Sequence, residues 1–149
     1  MAAPTPSADL CNCLALRKAA RYLTAAYDNA FAPLELRATQ FSILQQLSAE
    51  GEVTISRLAD LSAMDRTTMA TNLKVLARRN LVTVETAASD RRARIVALTP
   101  EGRDRFAAAL PLWRAVQSQF EESFGSAEAA QLRASLRAVL ETGFDPWAE

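Results

Sequence analysis

Apolar positions recur at helical spacing along most of this chain, interrupted once by a short stretch of alternation. The first predicted helix starts from Asp9 as cap and runs through LCNCLALRKAARYLTAAYDNAF. Leu10, Cys13, Leu14, Leu16, Leu23, Tyr27 and Phe31 form its broad apolar stripe, and Pro33 ends it. A second helix, from about Arg37 to Ala49, carries Phe41, Leu44 and Leu47 on one face and stops at Gly51. Thr54 caps a short third segment in which Ile55, Leu58 and Leu61 share a face. After Ser62-Ala63-Met64, Asp65 opens a fourth helix from Arg66 to Arg79. Met69, Leu73 and Leu76 point inward, and Asn80 suits the left-handed residue that closes a helix.

Leu81–Glu85 and Arg94–Leu98 are β-branched and alternating, so they read as two strands of a hairpin joined by Thr86–Ala93. Thr99-Pro100-Glu101 is a strong helix start, with a cap, a proline in the first turn and an acid next. That helix runs to about Ser123, and Pro111 inside it should kink it. Phe124-Gly125 breaks the run. Ser126 caps a last helix with Leu132, Leu136, Val139 and Leu140 as its stripe, and Gly143 closes it. Residues 1–8, with two prolines, read as a loose tail. The fold class expected is mainly α with one small β-hairpin.

Composition narrows what such a chain does. With 149 residues and half of them apolar, it is one domain's worth of chain with enough apolar surface for a core. It contains no histidine, which removes the commonest general base and metal ligand. No nucleophile motif or glycine-rich phosphate loop is present, so an enzyme is not expected, and no cofactor is called for. Two cysteines close together, Cys11 and Cys13, do not make a disulfide framework. There is no basic, apolar leader, and no apolar run approaches the roughly 20 residues needed to span a bilayer, so a cytoplasmic location without membrane contact is expected.

The net charge is zero, but the distribution is uneven. Between Arg66 and Arg94, seven cations (Arg66, Lys74, Arg78, Arg79, Arg91, Arg92, Arg94) face only Glu85 and Asp90. From Ala115 onward, Arg133 and Arg137 face six carboxylates. A basic middle is the electrostatic footprint of a nucleic-acid binder, which need not be basic overall.

Thr54 to Arg79 has the form of a helix-turn-helix, whose second helix enters the major groove. Its outward residues are Arg66, Thr67, Thr68, Ala70, Thr71 and Lys74, small or hydrogen-bonding groups suited to base edges and phosphates. Taken alone, a plain amphipathic surface helix has the same pattern. The hairpin that follows favours a DNA-binding wing over a solvated charged loop, with a winged helix used only for protein contacts as the alternative function. Asp90-Arg-Arg-Ala-Arg94 places Arg91, Arg92 and Arg94 at its tip or on its second strand, where guanidinium groups fit a minor groove, and Asp90 is expected to orient a neighbouring arginine.

DRRARIVALTPEG, Asp90 to Gly102, resembles the wing signature of the MarR family of bacterial regulators. MDRTTMATNLKVLARRNLV, Met64 to Val82, is similar to that family's recognition helix and following strand. The resemblance extends from about Cys11 to the last helix. It departs in two places: the family often has glycine-leucine-threonine where this chain has Glu35-Leu36-Arg37, and glycine where it has Asn80. It implies a winged helix-turn-helix at 37–99, flanked by dimerisation helices at 9–35 and 100–145 of a single 1–149 domain. It also implies a homodimer acting, as a repressor, on a palindromic site in double-stranded DNA. Apolar stripes on the terminal helices, which a small winged helix cannot cover, support the same pairing.

The signal sensed stays open between two arrangements. CLALRKAAR, Cys13 to Arg21, looks like the first helix of the organic-hydroperoxide sensors within the family. Their reactive cysteine falls on Cys13, and of the two tyrosines they pair with it, one falls on Tyr27 and the other on Arg17. Arg17, one turn along, favours a thiolate at Cys13. Against this, Cys13 on an apolar stripe also fits a small buried hydrophobe, and Cys11 points about 200° away from it if both are helical. The other arrangement is a small aromatic acid held near Arg17, Arg21, Tyr27 and Trp113, though the two aromatics equally fit the core.

Overall fold

The computed structural model describes residues 7–144. Its elements are α1 (Asn12–Phe31), α2 (Ala38–Glu50), β1 (Val53–Thr54), α3 (Ile55–Leu61), α4 (Arg66–Arg78), β2 (Val82–Thr86), β3 (Arg94–Leu98), α5 (Pro100–Phe124) and α6 (Ser126–Leu140). The chain forms two compact units, Met1–Trp113 and Arg114–Glu149. Among the described residues no helix is long and apolar enough to cross a membrane. The expectation of a loose tail falls largely on residues 1–6, and Asp145 and Glu149 of the acidic end also lie outside the described residues.

The first helix starts later than its sequence suggests. Ala8–Leu10 form a single 3₁₀ turn, with the Ser7 hydroxyl accepting from the Asp9 N–H. The N-cap of α1 is Cys11 rather than Asp9: its backbone is extended, and its Sγ accepts from the Leu14 N–H at 3.4 Å. Pro33 ends α1 as expected, within a 3₁₀ turn at Ala32–Leu34. Glu35 then adopts a left-handed conformation, φ 53°, at the position where the family often has glycine.

α2 begins at Ala38, one residue after Arg37, whose side chain does not cap it. Asp28 does so from α1, accepting the Ala38 N–H at 2.7 Å and pairing with Arg37 at 3.3 Å, while Gln40 Oε1 accepts the Arg37 N–H.

The core of the first unit grows from the predicted stripes. Phe41, Leu44 and Leu47 are buried, joined by Ile43 of the same helix. Phe41 stacks against Phe31 at 4.6 Å and lies 5.5 Å from Phe106 and 6.5 Å from Trp113. Tyr27 extends the column by stacking on Phe31 at 6.0 Å. Tyr27 and Trp113 are therefore core aromatics.

The hairpin is part of a three-stranded antiparallel sheet, ordered β1-β3-β2. Val82 pairs with Leu98 and Thr86 with Arg94, so the hairpin is in register from end to end. β1 was not predicted: two residues are too few to show alternation, yet Val53 and Thr54 pair with Val96 and Ile95. Leu81 belongs to the close of α4 instead of the strand. Its N–H donates to Leu76 O and the Asn80 N–H to Ala77 O, with Asn80 at φ 56°, a Schellman closure.

Thr99 caps α5 as expected. Its Oγ1 accepts from the Gly102 N–H at 2.9 Å and donates to Asn80 O at 2.6 Å. The helix is continuous through Pro111. In the second unit, α6 begins after Gly125, at φ 101°, so Ser126 is its first residue and not its cap.

Candidate nucleic-acid interface

Two helices and a tight turn set the exposed face of α4. Thr54 Oγ1 accepts from the Arg57 N–H at 3.1 Å and starts α3. The turn closes through the Met64 N–H donating to Ala59 O, with Ala63 left-handed at φ 47°. This conformation crowds a Cβ against the following carbonyl. Ala63→Gly is therefore expected to hold or raise stability by up to about 1 kcal/mol, and Ala63→Val to lose about 1–2 kcal/mol, by thermal denaturation at fixed concentration.

Asp65 caps α4. Its carboxylate accepts the Thr68 N–H at 2.8 Å and the Thr68 hydroxyl at 2.6 Å. The Thr68 hydroxyl, then its N–H, hold the Asp65 carboxyl below its ordinary pKa. A depressed folded-state value means the cap is charged above the usual carboxylate range and lost as pH falls through the lower value.

Met69, Leu73 and Leu76 are fully buried, which fixes the rotation of α4. Arg66, Thr67, Thr68, Thr71, Lys74 and Arg78 are left exposed, and Ala70 half-exposed. The outward residues are not equally available to a ligand. The Thr68 proton is held by Asp65, and Thr71 Oγ1 donates to Thr67 O at 3.0 Å, so both hydroxyls face outward chiefly as acceptors.

On the hairpin, Arg91, Arg92 and Arg94 are all exposed. Asp90 does not orient a guanidinium. Its carboxylate accepts the backbone N–H of Arg92 at 2.9 Å, and its carbonyl accepts that of Ala93, so it shapes the loop. Among the described residues, Arg66, Lys74, Arg78, Arg91, Arg92 and Arg94 form no ion pair.

The helix and the hairpin meet in an open cleft of about 570 Å³. Ile55, Ala70, Leu73, Ala77 and Val84 contribute its apolar lining, and Lys74, Arg78 and Arg94 its cations. Arg78 was not among the predicted contacts. Its neighbour Arg79, which looks the same in sequence, turns away and donates to the carbonyls of Glu35 (2.6 Å) and Leu34 (3.4 Å).

The candidate sensing residues lie on α1. Cys11 and Cys13 are both free and exposed in the single chain. Because Cys11 precedes the helix, the angular separation expected for two helical residues does not apply. Arg17 and Arg21 are exposed and Tyr27 half-buried.

A MarR-family model matches residues 34–93. The DNA-bound crystal structure of the M. tuberculosis transcriptional regulator MosR matches at 39% identity and a TM-score of 0.73, covering 87% of this chain and 98% of that one. Another MosR crystal structure matches at 37% identity and a TM-score of 0.77, covering 91% and 99%. A probable transcriptional regulator from Pseudomonas aeruginosa matches at 27% identity and a TM-score of 0.77, covering 88% and 98%. Among curated proteins, none matches this chain.

Proposed function

Because the chain belongs to the MarR family of transcriptional regulators, we propose that it binds double-stranded DNA in the cytoplasm as a homodimeric repressor of a palindromic site. The observation that carries this is the shared cleft, in which Lys74 and Arg78 of α4 stand beside Arg94 of β3. Arg66, Thr67, Thr68 and Thr71 then read the major groove, Lys74 and Arg78 hold phosphates, and Arg91, Arg92 and Arg94 enter the flanking minor groove. The solved DNA complex of MosR supports the same use of the fold.

The dimer rests on exposed apolar surface. In the first unit, Leu10 and Tyr22 are 79% and 80% exposed. In the second, Phe124, Leu136, Val139, Leu140 and Phe144 are exposed as well. A two-fold partner covers such surface, with 9–35 and 100–145 as the pairing helices and 37–99 as the DNA-binding part. Selecting bound duplexes from a random pool tests the reading. The expected product is a palindrome with half-sites about one helical turn apart, near 34–36 Å. A reporter driven by that site should be silenced by co-expression. An asymmetric selected site contradicts the paired arrangement.

Release by a small molecule or an oxidant completes the proposal. The oxidant is favoured by one observation, two free thiols, Cys11 and Cys13, at the start of α1, with Arg17 one turn beyond Cys13. Peroxide is then expected to release selected duplex from the wild type and not from Cys13→Ser. Equal release from both proteins rules out sensing through Cys13.

A further inference from the structure

Two arginines converge on one short turn. Arg79 donates through Nη1 to Glu35 O at 2.6 Å and through Nη2 to Leu34 O at 3.4 Å. Arg105 of α5 donates to the same Leu34 O at 2.8 Å, and its other nitrogen holds Glu101 at 3.0 Å. The turn they grip is the left-handed corner at Glu35, between α1 and α2. Its far side is fixed by Asp28 holding the start of α2.

Arg79 is also the C-cap of α4, one residue beyond Arg78. Its backbone N–H closes the helix on Val75 O, and the next residue is held by Thr99 through Asn80 O. The side chain is only about a quarter exposed; Nη1 and Nη2 each donate to a carbonyl, 44 and 45 residues away, and Nη2 also lies 4.0 Å from the Glu35 carboxylate. A planar fork serves two neighbouring carbonyls at fixed separation, which a single ammonium does not. Side chains in such a fork lose little further entropy for each added bond.

We infer that Arg79 is a positioning residue for the DNA interface: it anchors the C-terminal end of α4 to the α1–α2 corner and so sets the angle at which the face from Arg66 to Lys74 meets the groove. This rests on the DNA-binding reading. Base-edge hydrogen bonds need the helix placed closely, whereas phosphate attraction tolerates displacement. Loss of the anchor therefore lowers discrimination more than it lowers general attraction to duplex.

The test compares wild type, Arg79→Met and Arg79→Lys on the tightest duplex selected from a random pool and on a scrambled duplex of equal length. Each is measured at several salt concentrations and well below each protein's Tm. Arg79→Met is expected to bind the selected duplex at least tenfold more weakly and the scrambled duplex within twofold of wild type. Its salt slope on the scrambled duplex should be unchanged. Arg79→Lys, with the charge but not the fork, should fall between wild type and Arg79→Met on the selected duplex, and it serves alone if Arg79→Met does not fold.

Wild-type affinity for the selected duplex in both variants overturns the inference. So does equal weakening on both duplexes with a salt slope smaller by about one, which marks Arg79 as a phosphate contact itself. A wild-type protein with no salt-dependent duplex binding refutes the DNA reading first and is distinguishable from either result.

Discussion

Replacing Gly102 with alanine should lower the Tm by roughly 10 °C, corresponding to a loss of about 3 kcal/mol. Helix propensity alone gives the opposite sign, since alanine in a helix interior is favoured over glycine by about 1 kcal/mol. The surroundings reverse it. Gly102 is buried in the first turn of α5, and a Cβ built there falls 1.9 Å from Leu81 O and 2.9 Å from Leu81 C. Both are backbone atoms at the close of α4, and Leu81 O already accepts the Thr99 N–H at 3.2 Å. Relief requires moving α5 away from the end of α4, which also pulls at the Thr99 bonds to Asn80 O and the Gly102 N–H. Thermal denaturation at one protein concentration decides the sign, because the proposed dimerisation would make Tm concentration-dependent. A Tm equal to or above wild type shows that the approach of α5 to Leu81 is not tight.

The double substitution Arg91→Ala, Arg94→Ala should weaken duplex binding on the order of 100-fold at moderate salt, whatever the sequence of the duplex. Both side chains are exposed and, among the described residues, neither is in an ion pair, so their removal leaves no buried partner unsatisfied and the fold should be unaffected. Each lost contact reduces the log–log salt slope by about 0.9. Thr67→Ala should behave differently. In the proposed interface Thr67 reads bases, so discrimination between selected and scrambled duplex should shrink by about 1–3 kcal/mol with little change in slope. If the arginine and threonine variants gave the same pattern, the division of labour between hairpin and helix would be wrong.

Much of this arrangement is legible in the chain because its caps are local. Thr54, Asp65 and Thr99 each precede a helical apolar stripe, and each accepts the backbone N–H three residues on. The caps that were misplaced have small or polar neighbours competing for the same job, as Cys11 does beside Asp9 and Gly125 beside Ser126. Features set by distant residues leave no such trace. The capping of α2 by Asp28 joins positions 10 apart, and β1 exists only because β3 offers it an edge. Arg78 and Arg79 show the limit most plainly. They are identical and adjacent, about 100° apart around a helix, and one rims the cleft while the other grips Leu34 and Glu35. Only the folded position of the α1–α2 corner separates their roles. Asp90 is similar: its neighbours suggested a guanidinium partner, and the loop offered it a closer backbone N–H.

The salt dependence of wild-type binding to its selected duplex probes the shared interface most directly. If Lys74, Arg78, Arg91 and Arg94 of both subunits neutralise phosphate charge, log Kd should change with log salt by a slope of about 7 in magnitude, affinity falling as salt rises. A slope near zero would contradict a cationic hairpin and helix engaging DNA together.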